Sequence, residues 1–367
     1  MRNPSGMQRT LCTITMLAAL CISAQAQIPV TYEVPVPKSL QHDPDTVSMV
    51  IIGDVMMHKR QLEYDCTKFL EPIRRLLSEA DIAVANMEFS LGGEPYSGYP
   101  AFSAPDTYAT YVADCGVDVF LTANNHILDR GAAGLSRTLG IYERMKLDDG
   151  IQYTGTALRE SSDTAINPLV VVGRGIRIAI VNFTYGTNAA QTAEWPSVQR
   201  ASREDVAQCI KRARDRNVDY IVAAPHWGTE YSLRHDSWEE SWAQWLVSQG
   251  VDAIVGGHPH VVQDTTSISG VPVIYSVGNA VSNMSAVNTR LELAVTMRFT
   301  RHDDGLVEMI GPDLTWLWCT LPGTLTSGYA TIPVEEFLGR RELWINPSDY
   351  DNMVATYERV KKTTGIR

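Results

Sequence analysis

The sequence has no run of lysine and arginine. Its 31 basic residues are outnumbered by 42 acidic ones, leaving a formal charge of −11 over 367 residues. Nucleic acid and anionic membrane surfaces attract clustered positive charge, so neither is expected as a partner. Cysteine is scarce: six in all. The four beyond the N-terminal segment, Cys66, Cys115, Cys209 and Cys319, form no C-x-x-C pair, which argues against a sulfur-based metal site. Disulfides and buried free thiols both stay open, and no bridge is predicted. No apolar run reaches the roughly 20 residues needed to cross a bilayer. No P-loop, G-x-S-x-G elbow or G-x-G-x-x-G follows an apolar strand, so nucleoside triphosphate, serine-hydrolase and dinucleotide chemistry find no support. Repeats and low-complexity tracts are absent too, and 44% hydrophobic with 20% charged residues is a globular composition.

Near the start, Arg2 and Arg9 precede an apolar stretch at 11–22, and Ser23-Ala24-Gln25-Ala26 has the small-residue pattern of a signal peptidase site. Residues 1–26 therefore read as an export signal, giving a periplasmic or cell-surface protein. Lipoprotein processing at Cys21 is the competing reading. Leu20 stands against it, because the residue before a lipidated cysteine is normally small. Loss of this segment, which holds two arginines and no acid, takes the charge from −11 to −13. The remainder reads as a lead-in at 27–46, one large domain at 47–310 and a C-terminal extension at 311–367. Trp316, Trp318 and Trp344 are expected to pack the extension onto the body.

Short runs rich in Val and Ile at 47–53, 82–85, 117–122, 176–183, 218–224, 251–255 and 271–277 read as buried strands. Segments of helical length and spacing lie between them at 66–80, 105–115, 132–146, 202–216 and 237–249; the fourth opens with a near capping box, Ser202-x-x-Asp205. Residues 167–182 read as a hairpin turning at Gly173-Arg174-Gly175, and 291–300 with 305–310 as an antiparallel pair. Strand alternating with helix predicts a layered α/β fold with mixed β-sheets flanked by helices. Trp238, Trp242 and Trp245 form a helical stripe read as core.

Strand after strand ends in a residue able to hold a metal or a phosphate. Gly53-Asp54 and His58 follow the first run, Asn86-Met87-Glu88 the second, and Asn124-Asn125-His126 with Asp129 the third. His226-Trp227-Gly228-Thr229-Glu230-Tyr231, Gly256-Gly257-His258-Pro259-His260 and Gly278-Asn279 follow later ones. In an open α/β sheet the carboxyl ends of the strands form the ligand crevice, so these residues are expected to converge. Carboxylate, imidazole and amide oxygen are the ligands that hard and borderline divalent ions take. Five of the eight histidines sit at such positions.

In their order and spacing, these motifs resemble the CapA family, the capsule and poly-γ-glutamate synthesis branch of the calcineurin-like metallophosphoesterases, from about residue 47 to 283. The resemblance implies two divalent ions (Mn, Fe, Zn or Mg) about 3.5 to 4 Å apart that activate water for in-line attack on a phosphoester. It makes Glu88 the bridging ligand, places Asp54 and His260 on the first ion, and places Asn125, His226 and His258 on the second. It leaves His126 as proton donor, with Asp129 orienting it. Glu230 is either an extra carboxylate near the ions or a partner of His226. The wider superfamily has a histidine two places after the first Asp, where this chain has Met56; either His58 reaches back to the first ion or that ion is weakly held. Tyr96 and Tyr99, in a Pro- and Gly-rich loop, and Arg130 are candidate substrate contacts. Two function classes follow. One is an exported metal-dependent hydrolase of phosphoester type; the other is a non-catalytic accessory that uses metal to grip an anionic capsular polymer. Membrane-bound polymer synthesis machinery is the expected partner of either.

Overall fold

The computed structural model describes residues 31–33 and 45–366. The export signal, Cys21 and nearly all of the lead-in lie outside these residues.

A strand apolar along its whole length belongs where both sheet faces are covered. Thr46–Val55 is buried at every position. Its Val47, Met49 and Ile51 point into one apolar cluster, and Val50 and Ile52 into another. The first of these clusters is the seam between two stacked sheets. One sheet runs in the order Thr31–Glu33, Leu169–Gly173, Ile176–Thr184, Tyr220–His226, Ala253–Val255, Val271–Ile274, Thr265–Ile268. The other runs Ala330–Pro333, Val307–Thr320, Leu291–Arg301, Thr46–Val55, Ile82–Met87, Val119–Leu121, Gln152–Thr154. Helices Asp106–Asp114 and Gly131–Asp149 cover the outer face of the second sheet, and Arg203–Asp215 and Ser237–Ser248 that of the first. The result is the expected layered α/β fold, ordered helix, sheet, sheet, helix. Both sheets are mixed: Ile176–Thr184, Tyr220–His226, Ala253–Val255 and Val271–Ile274 pair in parallel, as do Thr46–Val55 through Gln152–Thr154, with antiparallel strands at the flanks.

Three details depart from the sequence reading. The helix expected over 66–80 breaks into the 3₁₀ turns Cys66–Lys68 and Glu71–Ile73 before the helix Arg74–Glu79, because Pro72 has no N–H to give an α-helical ladder. The boundary placed at residue 310 falls inside the strand Val307–Thr320. The strand carries Gly311-Pro312 through a register shift between Thr296 and Arg298, with Gly311 at φ 110° supplying the bend. The C-terminal segment also ends in a helix, Pro347–Thr364, whose Met353, Tyr357 and Val360 enter the inter-sheet core with Trp316, Trp318 and Trp344. Cys66, Cys115, Cys209 and Cys319 are all free thiols.

Candidate metal centre

Parallel strands bring their carboxyl ends to one edge of each sheet, and stacking sets the two edges side by side. Carboxylates and amides come from one sheet: Asp54 from the end of Thr46–Val55, Glu88 just past Ile82–Met87, and Asn125 past Val119–Leu121. Imidazoles come from the other: His226 closes Tyr220–His226, and His258 and His260 follow Ala253–Val255. The edges are sewn together by backbone. Asp54 N donates to Gly278 O at 3.1 Å, and a Cβ on Gly53 would lie 1.9 Å from that oxygen, so only glycine fits before Asp54. Seven non-glycine residues among those described have positive φ, and three are here: Tyr231 at 66°, His258 at 100° and His260 at 59°. Such conformations cost about 1–3 kcal/mol each and cluster at functional sites.

Asp54 and Glu88 are both fully buried. Asp54 Oδ1 accepts from Asn86 Nδ2 at 2.7 Å and lies 4.0 Å from His226 Nδ1; Oδ2 lies 3.2 Å from His260 Nδ1. Glu88 Oε1 is 3.8 Å from both His226 Nε2 and His260 Nε2. His260 Nδ1 is also 2.8 Å from Asn279 Oδ1, and Asn125 Oδ1 is 2.9 Å from His226 Nε2. Three sets of side chains bring ligand atoms within 4.8 Å of one another: Glu88 with His226 and His258, Asp54 with Glu88 and His260, and Glu230 with His258 and His260.

Both Glu88 oxygens and His258 Nδ1 are buried without a hydrogen-bond partner, and Asp54 Oδ2 has only the His260 imidazole, 3.2 Å away. A buried polar atom left unpaired costs about 1–3 kcal/mol, and a charged one more. Glu88 shares one ligand set with Asp54 and another with His258, and divalent cations are the groups that would satisfy these atoms. The residues therefore fit a metal.

The electrostatics agree. Burial pushes the Glu88 carboxyl well above its usual range, with the nearby Asp54 charge adding to it. Burial also holds His226 down to about 3 and His258 well below an ordinary imidazole. Asp54 resists the same burial because the His260 bond, the charges of His226 and His260, and the Asn86 bond hold it below the usual carboxylate range. For His260 burial works downward, but the Asp54 hydrogen bond and charge outweigh it and leave it raised. Neutral imidazole is the metal-binding form, and a bound cation would reverse the penalty on Glu88.

His126 stands apart from these ligand sets. Its Nδ1 is 2.7 Å from Asp129 Oδ2, an oxygen that also accepts from Phe102 N at 2.7 Å. The ring is buried, edge-on to Phe102 with centroids 4.6 Å apart. Asp129 thus fixes the ring, as the spacing of three residues suggested.

Other anticipated residues divide. Glu230 is exposed and groups with His258 and His260 rather than pairing with His226. His58 belongs to none of the three ligand sets among the described residues. Its Nδ1 is 3.1 Å from Gln61 Oε1 and 3.2 Å from the backbone N of Asn283, because the chain between Asp54 and His58 turns away. Tyr99 lines a cleft of about 490 Å³ over the site, together with His58, Glu230 and His260. Tyr96 does not line it, and Arg130 donates to Pro95 O at 3.2 Å, bracing the loop from behind. Asn86 and Asn279 were legible as motif members, but their work, holding Asp54 and His260, was not. Tyr185, whose ring lies over His258 at 4.5 Å between centroids, was not anticipated as a site residue.

Comparison with known proteins adds an independent line. Residues 48–284 match the family described as Bacterial capsule synthesis protein PGA_cap. The chain is 26% identical over 281 residues to the capsule biosynthesis protein CapA of Bacillus anthracis, covering 72% of this chain and 67% of that protein. It is 27% identical over 296 residues to the PGA biosynthesis protein CapA of Bacillus subtilis, covering 76% and 74%. Among solved structures, the calcineurin-like phosphoesterase YfkN from Bacillus subtilis aligns with a TM-score of 0.45 and 12% identity, covering 87% of this chain and 98% of that one.

Proposed function

The chain belongs to the Bacterial capsule synthesis protein PGA_cap family, and from that premise we propose that it is an exported metal-dependent hydrolase of phosphoester type, with a dinuclear site, serving capsule or poly-γ-glutamate synthesis. The observation that carries this reading is Glu88. It is fully buried, has no donor on either oxygen, and belongs both to the set with Asp54 and His260 and to the set with His226 and His258. That sharing supports Glu88 as the bridge between two ions, with Asn125 completing the second set and Glu230 a further carboxylate within reach. Divalent ions held there, of Mn, Fe, Zn or Mg, would supply Lewis acidity and lower the pKa of water.

The chain's own groups do the rest. Asn86 and Asn279 hold Asp54 and His260 in place. Asp129 takes the Nδ1 hydrogen of His126, which leaves Nε2 as the nitrogen that exchanges a proton with substrate. Hydrolysis puts the oxygen of water on phosphorus, breaks one P–O bond and moves one proton from the water to the departing alcohol; His126 Nε2 gives that proton to the alcohol and regains one from water. Export belongs to the proposal as well. Among the described residues no helix is long and apolar enough to cross a membrane.

Metal analysis of the purified chain, with hydrolysis of model phosphate mono- and diesters, tests this reading. Two ions per chain and ester hydrolysis are expected. His126→Ala should lower kcat by about 10²–10⁴-fold while keeping the metal. A chain that binds none of the four metals, and whose melting is unchanged by them, would sink the proposal. Bound metal and bound anionic polymer with no hydrolysis of any ester would instead establish the accessory role.

A further inference from the structure

Four tyrosines are exposed among the described residues: Tyr96, Tyr99, Tyr185 and Tyr231. Three of them stand against imidazoles of the metal centre. Tyr185 lies over His258 at 4.5 Å between ring centroids, Tyr231 over His260 at 6.3 Å, and Tyr99 beside His126 at 6.5 Å. Two are held by the backbone that presents the ligands: Tyr185 N donates to His226 O and Tyr231 N to Pro259 O, each at 2.9 Å. Tyr231 keeps a positive φ to stand there. Tyr99 and Tyr231 line the cleft over the site, and Tyr185 stands against His258 outside that lining. Large rings left in water beside a cleft are the usual apolar half of a ligand site, and rigid, amphipathic tyrosine loses little entropy on contact.

The cleft walls supply the other half. They hold the amides of Asn188 and Asn283 and the hydroxyl of Ser285, but no lysine or arginine, and Glu230 is the acid among them. On a chain of net charge −11, a cleft with a carboxylate and no basic side chain repels a polyanion. Aromatic faces with amide and hydroxyl groups instead suit a neutral polyhydroxylated ring, whose C–H face is apolar and whose edge is polar. The volume of about 490 Å³ accommodates a ligand of one or two rings.

Resting on the hydrolase reading above, we propose that the substrate is a phosphodiester of a neutral sugar. Its single charge lies at the metal centre, its ring is held by Tyr185, Tyr231 and Tyr99, and its hydroxyls meet Asn188 and Asn283. The poly-γ-glutamate chain, with a carboxylate on every residue, is not what this cleft holds.

The test is calorimetric binding to the manganese-loaded chain carrying His126→Ala, which suppresses turnover. The probes are methyl glucosyl phosphate, dimethyl phosphate, thymidine methyl phosphate and a γ-glutamate decamer. The glucosyl ester should bind about tenfold or more tighter than dimethyl phosphate, and the decamer no tighter than dimethyl phosphate. Tyr185→Ala and Tyr231→Ala should each weaken glucosyl binding about three- to tenfold and leave dimethyl phosphate unaffected. Tighter binding of the decamer or the thymidine ester, or tyrosine variants without effect, would overturn the assignment. Ester hydrolysis by the unsubstituted chain with no preference for the sugar sinks this inference alone. Glucosyl binding in a chain that hydrolyses nothing sinks the hydrolase reading alone.

Discussion

Where the C-terminal helix meets the body, Arg290 donates to both oxygens of Asp349, at 2.6 and 2.7 Å, and stacks over Trp318. At the metal centre Glu88 is buried more deeply, yet neither of its oxygens receives a donor. Both are carboxylates out of water. The first has the fork-shaped cation that satisfies it in the chain itself, 59 residues away. The second stands beside His226 and His258, which burial holds at about 3 and well below the ordinary value, and beside His260, whose raised imidazole is taken by Asp54, so neither Glu88 oxygen has a donor of its own. A closed ion pair serves the fold. An open cluster of carboxylates and imidazoles costs the fold stability, a cost that a cation bound there would relieve.

Removing one member of each arrangement should therefore have unlike effects. Asp349→Ala leaves Arg290 buried and unpaired, at a cost of about 3–5 kcal/mol and a fall in Tm of roughly 6–20 °C, with metal content unchanged. Calorimetry alongside metal analysis reads both, and a loss of metal would show that the two regions are not separable. Glu88→Ala should do the reverse. Its metal-free Tm should be equal to or above that of the parent chain, because an uncompensated carboxyl has gone. The parent should gain about 2.7 kcal/mol at an ion concentration a hundred times its Kd, and the variant should gain little. A metal-free variant that melts well below the parent would mean that Glu88 has a structural partner after all.

His58 offers a third and smaller contrast, a half-buried imidazole with partners but no place in a ligand set. Burial holds it down to about 4 from 6.5. It is neutral in the fold, while the unfolded chain takes up the proton below 6.5. Its share of stability is whole above pH 6.5 and is lost as the pH falls toward 4. The loss reaches about 2 kcal/mol at pH 5. In denaturant titrations, His58→Gln should flatten the parent's decline between pH 6.5 and 5; parallel declines would remove His58 from the account.

Much of this was legible from one sequence, and the reasons are local. A buried strand must be apolar throughout and must stop, so Asp54, Glu88, Asn125, His226, His258 and His260 announced themselves as polar residues just past apolar runs. The His126–Asp129 pair was legible because three residues of separation bring side chains together without help from the rest of the fold. Misreadings came where a long-range partner overrode a local signal. The boundary placed at residue 310 falls within a strand that the neighbouring Leu291–Arg301 pairs on both sides of a register shift. His58, read either as reaching the first ion or as leaving it weakly held, has its Nδ1 against Gln61 and the backbone of Asn283.

By itself the sequence determined the strand and helix inventory, the family, and the types of ligand gathered at the strand ends, since each depends on composition and short-range spacing. Only the tertiary structure decided which atoms meet. It assigned Glu88 to two ligand sets, gave Asn279 to His260, moved Glu230 away from His226, and left the ring of Tyr231 on the cleft and that of Tyr185 against His258. The carboxylates stand on one sheet and the imidazoles on the other, and no pattern along the chain encodes how two sheets stack. That register comes from the close-packed apolar seam between them, which no single segment contains.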